Sequence, residues 1–382
     1  MRILAVGGGS GGHVTPVVAV LKELRAQDPT IELKFWCDVH FAAQAAKIVG
    51  AYDESIPVET IASGKLRRYH HLTLWQHIKW PALMWQNTLD LFKVLGGFFQ
   101  SFWKLIWWRP DAVFTKGGFV CLPVGMAAKA LGIPLVIHDS DAHPGLTNRI
   151  LSRWAMSIAT GAPLEYYNYP ADRTHYVGIP VSTAFREFTK AEQVAAKKEW
   201  GVDPKKPLLV VTGGGLGARR LNDTTLEVLE TLQKNSSVIL VSGAGEYDQL
   251  RARFPSDTAH FKLHPFISNM HQLLGAADIV VTRAGATTIL ELAALRKPTI
   301  LVPNAALTGG HQLKNAAVYG EAQVAIVLDE DAMVEDPLLL VQAVNAYLKD
   351  PKTTQTMAKR FGKFSKPNAA KDMAALILSA TK

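Results

Sequence analysis

The stretch Arg2-Ile3-Leu4-Ala5-Val6-Gly7-Gly8-Gly9-Ser10-Gly11-Gly12-His13 runs a short apolar strand into a glycine-rich turn, and a helical pattern follows. The same order returns at Leu208-Leu209-Val210-Val211-Thr212, which leads through Gly213-Gly214-Gly215-Leu216-Gly217-Ala218 into another helix. A glycine turn between strand and helix lets backbone N–H groups approach an anion while the helix dipole points at it. One architecture therefore occurs twice. Working outward, short β-branched runs alternate with helical stretches: Ile31 to Cys37, Ala112 to Thr115, Pro134 to Ile137, Val238 to Val241, Ile279 to Thr282 and Thr299 to Val302. This alternation predicts an α/β chain of two Rossmann-like, parallel-sheet domains.

A length of 382 residues fits two such domains better than one core. The seam is expected near Tyr176 to Thr183, where Gly178-Ile179-Pro180 interrupts the pattern before a charged helix, Lys190 to Trp200. This gives a first domain at 1–181 and a second at 182–365. The residues of the last helix, Asn368 to Ala380, would let it cap either domain; the expectation carried forward is that 366–382 packs back on the first. With 48% apolar and 19% charged residues the chain is not disordered. No apolar run reaches the roughly 18 residues that span a bilayer, so a soluble or peripheral protein is expected. Met1 to Val6 reads as a strand rather than the core of a signal peptide. Cys37 and Cys121 can build no disulfide framework and match no metal spacing, which suits a reducing cytoplasm.

A net charge of +8 calls for an anionic partner. Between Lys65 and Arg109 the bases Lys65, Arg67, Arg68, Lys79, Lys93, Lys104 and Arg109 face one acid, Asp90, and six of the nine tryptophans are interleaved with them. Trp75, Trp80, Trp85, Trp103, Trp107 and Trp108, with Phe92, Phe98, Phe99 and Phe102, have the character of an interfacial membrane helix. The competing reading is aromatics filling a core between helices. Nucleic acid fits less well, because its grooves space aromatics along a polar surface. The expected partner is an anionic membrane surface met through 65–109, with no nucleic acid.

His13, at a helix start beside glycines, titrates near neutrality and suits a general base; the alternative is a histidine capping its own helix. Gly7-x-Gly9-x-x-Gly12 with Asp38 also fits a dinucleotide fingerprint. The second, near-equivalent turn and His13 weigh against that reading. A third strand-turn-helix, Thr282-Arg283-Ala284-Gly285-Ala286-Thr287-Thr288, is followed by Glu291, which can accept from two vicinal hydroxyls of a ribose while the helix start above receives phosphate. The competing reading of Glu291 is a surface charge. Asp139-Ser140-Asp141 is an Asp-x-Asp pair, a spacing that can bind a divalent cation, but the doubled glycine turns supply the electrostatics a metal would supply, so none is expected.

Gly8 to His13, Thr115-Lys116-Gly117-Gly118-Phe119, His138 through Pro144-Gly145-Leu146-Thr147-Asn148, Gly213 to Ala218, Arg283-x-Gly285-Ala286-x-Thr288 with Glu291, and His311-Gln312-x-x-Asn315-Ala316 together resemble the MurG family, the N-acetylglucosaminyltransferases of peptidoglycan synthesis. The resemblance covers nearly the whole chain in order. It implies the GT-B fold, with two Rossmann-like domains facing each other across a cleft, the acceptor on the first and the UDP-sugar on the second. It implies UDP-N-acetylglucosamine as donor, lipid I as acceptor, lipid II as product, inversion at the anomeric carbon, no cofactor, and a peripheral place on the cytoplasmic face of the plasma membrane.

By the same resemblance His13 is the base, and Ser10, Gly11 and Gly12 beside it bind the donor. Glu291 would hold the ribose, the backbone at Ile267 the uracil, Ala286, Thr287 and Thr288 with Gly215 and Gly217 the phosphates, and His311 and Gln312 the sugar. Lys116, Asp141 and Asn148 stand on the acceptor side. Three departures from the family pattern matter. His138-Asp139-Ser140-Asp141 replaces His-Glu-Gln-Asn, so an amide becomes a carboxylate. Ser182 stands where an arginine meets the diphosphate, leaving Arg186 or Arg219 as substitutes. Gly215 and Leu216 replace Ser and Gln, which leaves phosphate contact to backbone donors. The rivals are a transferase of the same fold with another sugar or lipid acceptor, and a non-catalytic nucleotide-sugar-binding membrane protein.

Overall fold

The computed structural model describes residues 1–8, 11–65, 80–215, 217–305 and 310–381. Along the chain these form β1 (Arg2–Val6), α1 (Gly11–Gln27), β2 (Glu32–Asp38), α2 (Ala42–Gly50), β3 (Val58–Ile61), α3 (Pro81–Trp108), β4 (Ala112–Thr115), α4 (Cys121–Ala130), β5 (Leu135–Asp139), α5 (Leu146–Leu151), β6 (Ser157–Thr160) and β7 (Thr174–Tyr176). There follow α6 (Lys190–Glu199), β8 (Leu208–Thr212), α7 (Arg219–Glu227), α8 (Leu229–Asn235), β9 (Ser237–Val241), α9 (Ala244–Arg253), β10 (Phe261–His264), α10 (Met270–Ala276), β11 (Ile279–Thr282), α11 (Ala286–Ala294), β12 (Thr299–Leu301), α12 (His311–Glu321), β13 (Ile326–Val327), α13 (Glu330–Glu335), α14 (Leu338–Lys349), α15 (Pro351–Phe361) and α16 (Ala369–Ser379).

The strands make two parallel sheets, one of seven in the order β3-β2-β1-β4-β5-β6-β7 and one of six in the order β10-β9-β8-β11-β12-β13. In each sheet a central strand bears the glycine turn: β1 pairs with β2 and β4, and β8 pairs with β9 and β11. The chain divides into two compact units, one gathering Met1–Ser182, Leu307–His311 and Lys366–Lys382, the other Thr183–Ala306 and Gln312–Ser365.

Parallel sheets are buried on both faces, and the cores follow from that. On one face of the first sheet Ile3, Ala5, Leu33 and Phe35 meet Val14, Val17 and Leu21 of α1 and Met373, Ala374 and Ile377 of α16. The C-terminal helix thus packs within the first unit. On the other face Leu4, Val6, Trp36 and Val113 meet Val94 and Leu105 of α3 with Val124 and Ala127 of α4. In the second unit Leu209, Val211, Val238, Leu240 and Val281 anchor a core shared with Leu221, Met333 and Tyr347. Lys366 lies 4.3 Å over the Tyr176 ring and against Gly178, whose φ of +83° suits a glycine, so the chain re-enters the first unit where it left it.

Helix α3 runs 28 residues, about 42 Å at 1.5 Å per residue, and ends at Arg109 in the left-handed region with φ 47°. One face, with Val94 and Leu105, is buried. The opposite face carries Trp85, Leu89, Phe92, Phe99, Trp103 and Trp107 at steps of three, four or seven, all exposed, Trp107 to 86%. No helix among the described residues is long and apolar enough to cross a membrane. Arg67, Arg68, Trp75 and Lys79 of the basic aromatic segment lie outside the described residues.

Candidate active site

Three strand-turn-helix junctions meet at the carboxyl edge of the second sheet. In the first, between β8 and α7, Gly213 and Gly217 are sterically required: a Cβ on Gly213 would lie 2.4 Å from Ala218 N, and one on Gly217, whose φ is +77°, 2.3 Å from Ser242 O. Gly214 and Gly215 have nothing within 4 Å of a Cβ position, so their side of the turn is open to an approaching group. Leu216 lies outside the described residues. Arg219, the first residue of α7, is exposed and weakly paired, 3.7 Å from Asp223 and 3.8 Å from Glu246.

In the second junction, β11 to α11, Gly285 is the N-cap and offers no side-chain hydrogen bond, and a Cβ there would find only Thr288 Oγ1, 4.0 Å away. Ala286, Thr287 and Thr288, half-buried, thus begin a helix whose first N–H groups receive no cap from the residue before them. Glu291, one turn on, is also half-buried, and burial alone raises its carboxyl to about 8. The junction is held from behind. Buried Arg283 donates to Val302 O at 3.1 Å and to the Glu330 carboxylate, which Arg220 also meets at 3.4 Å. Asn315 donates to Ala284 O at 3.1 Å, and Gln312 Oε1 accepts from Asn304 N at 2.9 Å, fixing the start of α12 where His311 stands. In the third, after β10, Ile267 is buried beside Phe266, which is 66% exposed.

Arg186 is placed differently. Its guanidinium bonds both oxygens of Glu192, at 2.6 and 3.2 Å, inside the capping box that Thr189 and Glu192 make for α6. It lines a groove of about 350 Å³ with Phe188 and His271. Ser182 is exposed at the end of the first unit.

At the carboxyl edge of the first sheet the first glycine turn is only partly described. Ser10 lies outside the described residues, Gly11 and Gly12 open α1, and His13 falls in its first turn with its side chain outside the described set. Gly8 is pressed on Asp38: a Cβ would sit 2.5 Å from its Oδ2. Asp38, which a dinucleotide site would need for a ribose, is 2% exposed and accepts from Phe41 N at 3.1 Å.

After β4 and β5, Lys116, Asp139 and Asn148 are all buried. Lys116 Nζ donates to Ser140 Oγ; burial lowers its ammonium to about 8, against the pull of Asp141 and Asp139. Burial raises Asp139 to about 7, although Tyr169 donates to it at 2.8 Å. His138 Nε2 donates to Gly178 O at 2.7 Å, and its Nδ1 lies 3.4 Å from Ser140 Oγ. Asn148 donates to His138 O at 3.1 Å and lies against Gly117. Among the described residues no group of three or more His, Cys, Asp or Glu gathers in a metal-holding arrangement.

The structure therefore brings Gly215, Gly217, Ala286, Thr287, Thr288, Glu291 and Gln312 to one sheet edge, and Lys116, Asp141 and Asn148 to the corresponding edge of the other sheet. Sequence reasoning missed Glu330, 47 positions from Arg283, because nothing local links the two.

Two Rossmann-like sheets, each with a glycine turn on a central strand, and on the second an open helix start above a half-buried carboxylate, define a class: a two-unit α/β protein of the GT-B type. The chain belongs to glycosyltransferase family 28: its N-terminal domain description matches residues 3–160 and its C-terminal domain description residues 208–373. It is 31% identical over 374 residues to the UDP-N-acetylglucosamine--N-acetylmuramyl-(pentapeptide) pyrophosphoryl-undecaprenol N-acetylglucosamine transferase of Bacillus licheniformis, covering 97% of this chain and 96% of that one. It is 30% identical to the enzyme of the same name from Halalkalibacterium halodurans, covering 100% of both. Among solved structures it resembles Acinetobacter baumannii MurG, with a TM-score of 0.74, 25% identity and 99% of each chain covered. A UDP-GlcNAc 2-epimerase of Neisseria meningitidis, at 14% identity and a TM-score of 0.67, shares the fold.

Proposed function

We propose that this glycosyltransferase moves N-acetylglucosamine from UDP-N-acetylglucosamine to lipid I, forming lipid II for peptidoglycan, with inversion at the sugar carbon and with the acceptor held by the first unit and the donor by the second. The observation that carries the donor assignment is the start of α11, uncapped and open above half-buried Glu291, next to the open side of the Gly214-Gly215 turn. The names of the two bacterial relatives support the choice of donor and acceptor.

On this reading the uracil pairs with backbone at Ile267, the ribose hydroxyls donate to Glu291, and the diphosphate takes N–H donors from Ala286, Thr287, Thr288 and the glycine turn. His311 and Gln312 hold the sugar. As the acceptor oxygen bonds to C1, the C1–O bond to UDP breaks and negative charge grows on the β-phosphate. Backbone donors and the helix dipole stabilise it without reorganising, each such donor contributing on the order of 3 kcal/mol. His13 takes the proton from the attacking hydroxyl. Arg219, at the helix that follows the glycine turn, supplies the missing diphosphate cation, whereas Arg186 is already committed to Glu192.

The exposed apolar face of α3 supports peripheral docking on the cytoplasmic face of the plasma membrane, where a lipid-linked acceptor would be met. The deciding measurement is UDP release from UDP-N-acetylglucosamine, in chelator, with and without a short-chain lipid I analogue. Release that depends on the analogue is expected; tight donor binding without release would overturn the acceptor assignment.

A further inference from the structure

The last two turns of α3 and the edge of the first sheet enclose a groove of about 370 Å³ lined by Lys34, Trp36, Glu59, Trp103, Lys104 and Trp107. It lies towards the amino edge of the sheet, whereas Lys116 and the first glycine turn lie at the carboxyl edge. Glu59 accepts from Lys104 at 2.5 Å and from Lys34 at 3.1 Å, so one carboxylate serves two ammoniums and a positive charge is left unbalanced. Both lysines are held over indoles, Lys34 4.9 Å from the Trp108 centroid and Lys104 5.5 Å from that of Trp36. The buried Trp36 N–H has no hydrogen-bond partner among the described residues. Trp103 and Trp107 belong to both the groove and the exposed apolar ridge of α3.

An occupant that uses all of this has an anionic head and a long apolar body. A soluble anion leaves the ridge uncovered, and a purely apolar surface leaves the lysines without a role. We propose that the groove seats the phosphate of an anionic phospholipid whose acyl chains follow the ridge, a site that rests on the membrane-docking reading above. Indoles suit the headgroup level and lysine stems reach past apolar surface to a phosphate. A lipid held there pins the end of α3 farther from the acceptor-side residues, so the helix lies along the bilayer for its whole length rather than dipping one end.

The test is flotation of the full chain with phosphatidylcholine vesicles and with phosphatidylcholine–phosphatidylglycerol vesicles at equal ionic strength. Lys34→Gln/Lys104→Gln is expected to lose the gain from phosphatidylglycerol, on the order of tenfold, while binding neutral vesicles as before. Glu59→Gln, which releases both lysines, is expected to strengthen binding to phosphatidylglycerol vesicles; a merely structural ion cluster predicts weakening. If both variants bind phosphatidylglycerol vesicles as the parent does, the groove is not the site, although ridge docking stands. If Phe92→Ser/Phe99→Ser still binds both vesicles, the docking reading itself fails and the site with it. Displacement from phosphatidylglycerol vesicles by inorganic phosphate would mark a free-phosphate site and overturn the lipid assignment.

Discussion

Glu291 is protonated in the ligand-free fold at neutral pH and ionised in the unfolded chain, because burial raises its carboxyl from 4.5 to about 8. The folded state therefore holds the extra proton, and this residue's contribution to stability falls as pH rises from about 4.5 towards about 8 and is level above that. A ribose diol donates to the carboxylate form, so affinity for UDP should rise over the same window. Glu291→Gln is expected to flatten the pH dependence of the thermal midpoint and to weaken UDP binding roughly ten- to hundredfold, read by calorimetry. A parent protein whose UDP affinity is level from pH 6 to about 8.5 would refute the proton linkage. His13→Ala should lower turnover by about 100- to 10,000-fold with UDP affinity little changed. Arg219→Ala should weaken donor binding while Arg186→Ala leaves it unaltered; the reverse pattern would return the diphosphate role to Arg186. Of these residues, the glycines of the second turn and Glu291 could be placed at their sheet edge from sequence, because each lies within a few positions of its turn. Arg283 with Glu330, and Lys34 with Glu59 and Lys104, were not, because the sheet brings them together from far along the chain.

At the scale of elements, strands such as Leu208 to Thr212 and Ile279 to Thr282 were read from their continuous apolar runs. Those strands lie inside the sheets and are covered on both faces. β3, β7, β10 and β13 escaped notice, and each is a sheet edge. Val58-Glu59-Thr60-Ile61 and Phe261-Lys262-Leu263-His264 interleave polar residues because an edge strand need bury only part of its surface. β6, at Ser157-Ile158-Ala159-Thr160, is too short and too mixed to stand out. Within the second glycine turn the positions are unequal. Gly217→Ala would meet Ser242 O at 2.3 Å with φ at +77°, and should destabilise the second unit by about 1–2 kcal/mol or more. Gly215→Ala finds open space, so it should melt as the parent does and lose donor affinity instead. Differential scanning calorimetry beside UDP titration separates the two.

For the whole molecule, the twofold glycine-turn pattern was enough to predict two parallel-sheet units, whereas the partner of α16 needed packing that no local pattern encodes. Met373, Ala374 and Ile377 are fully buried against α1. Deleting 366–382 should cost the first unit on the order of 5 kcal/mol, at about 1.5–3 kcal/mol for each large side chain lost. Hydrogen exchange should then quicken in β1 and β2 and stay slow in β8; equal loss in both sheets would show that the units do not melt separately. The same packing sets an order of events during synthesis. α16 leaves the ribosome only after the entire second unit, so the half translated first is the half completed last. Until then one face of α1 and its sheet stays uncovered, which makes the first unit the natural client of a chaperone and the second the part that folds without waiting.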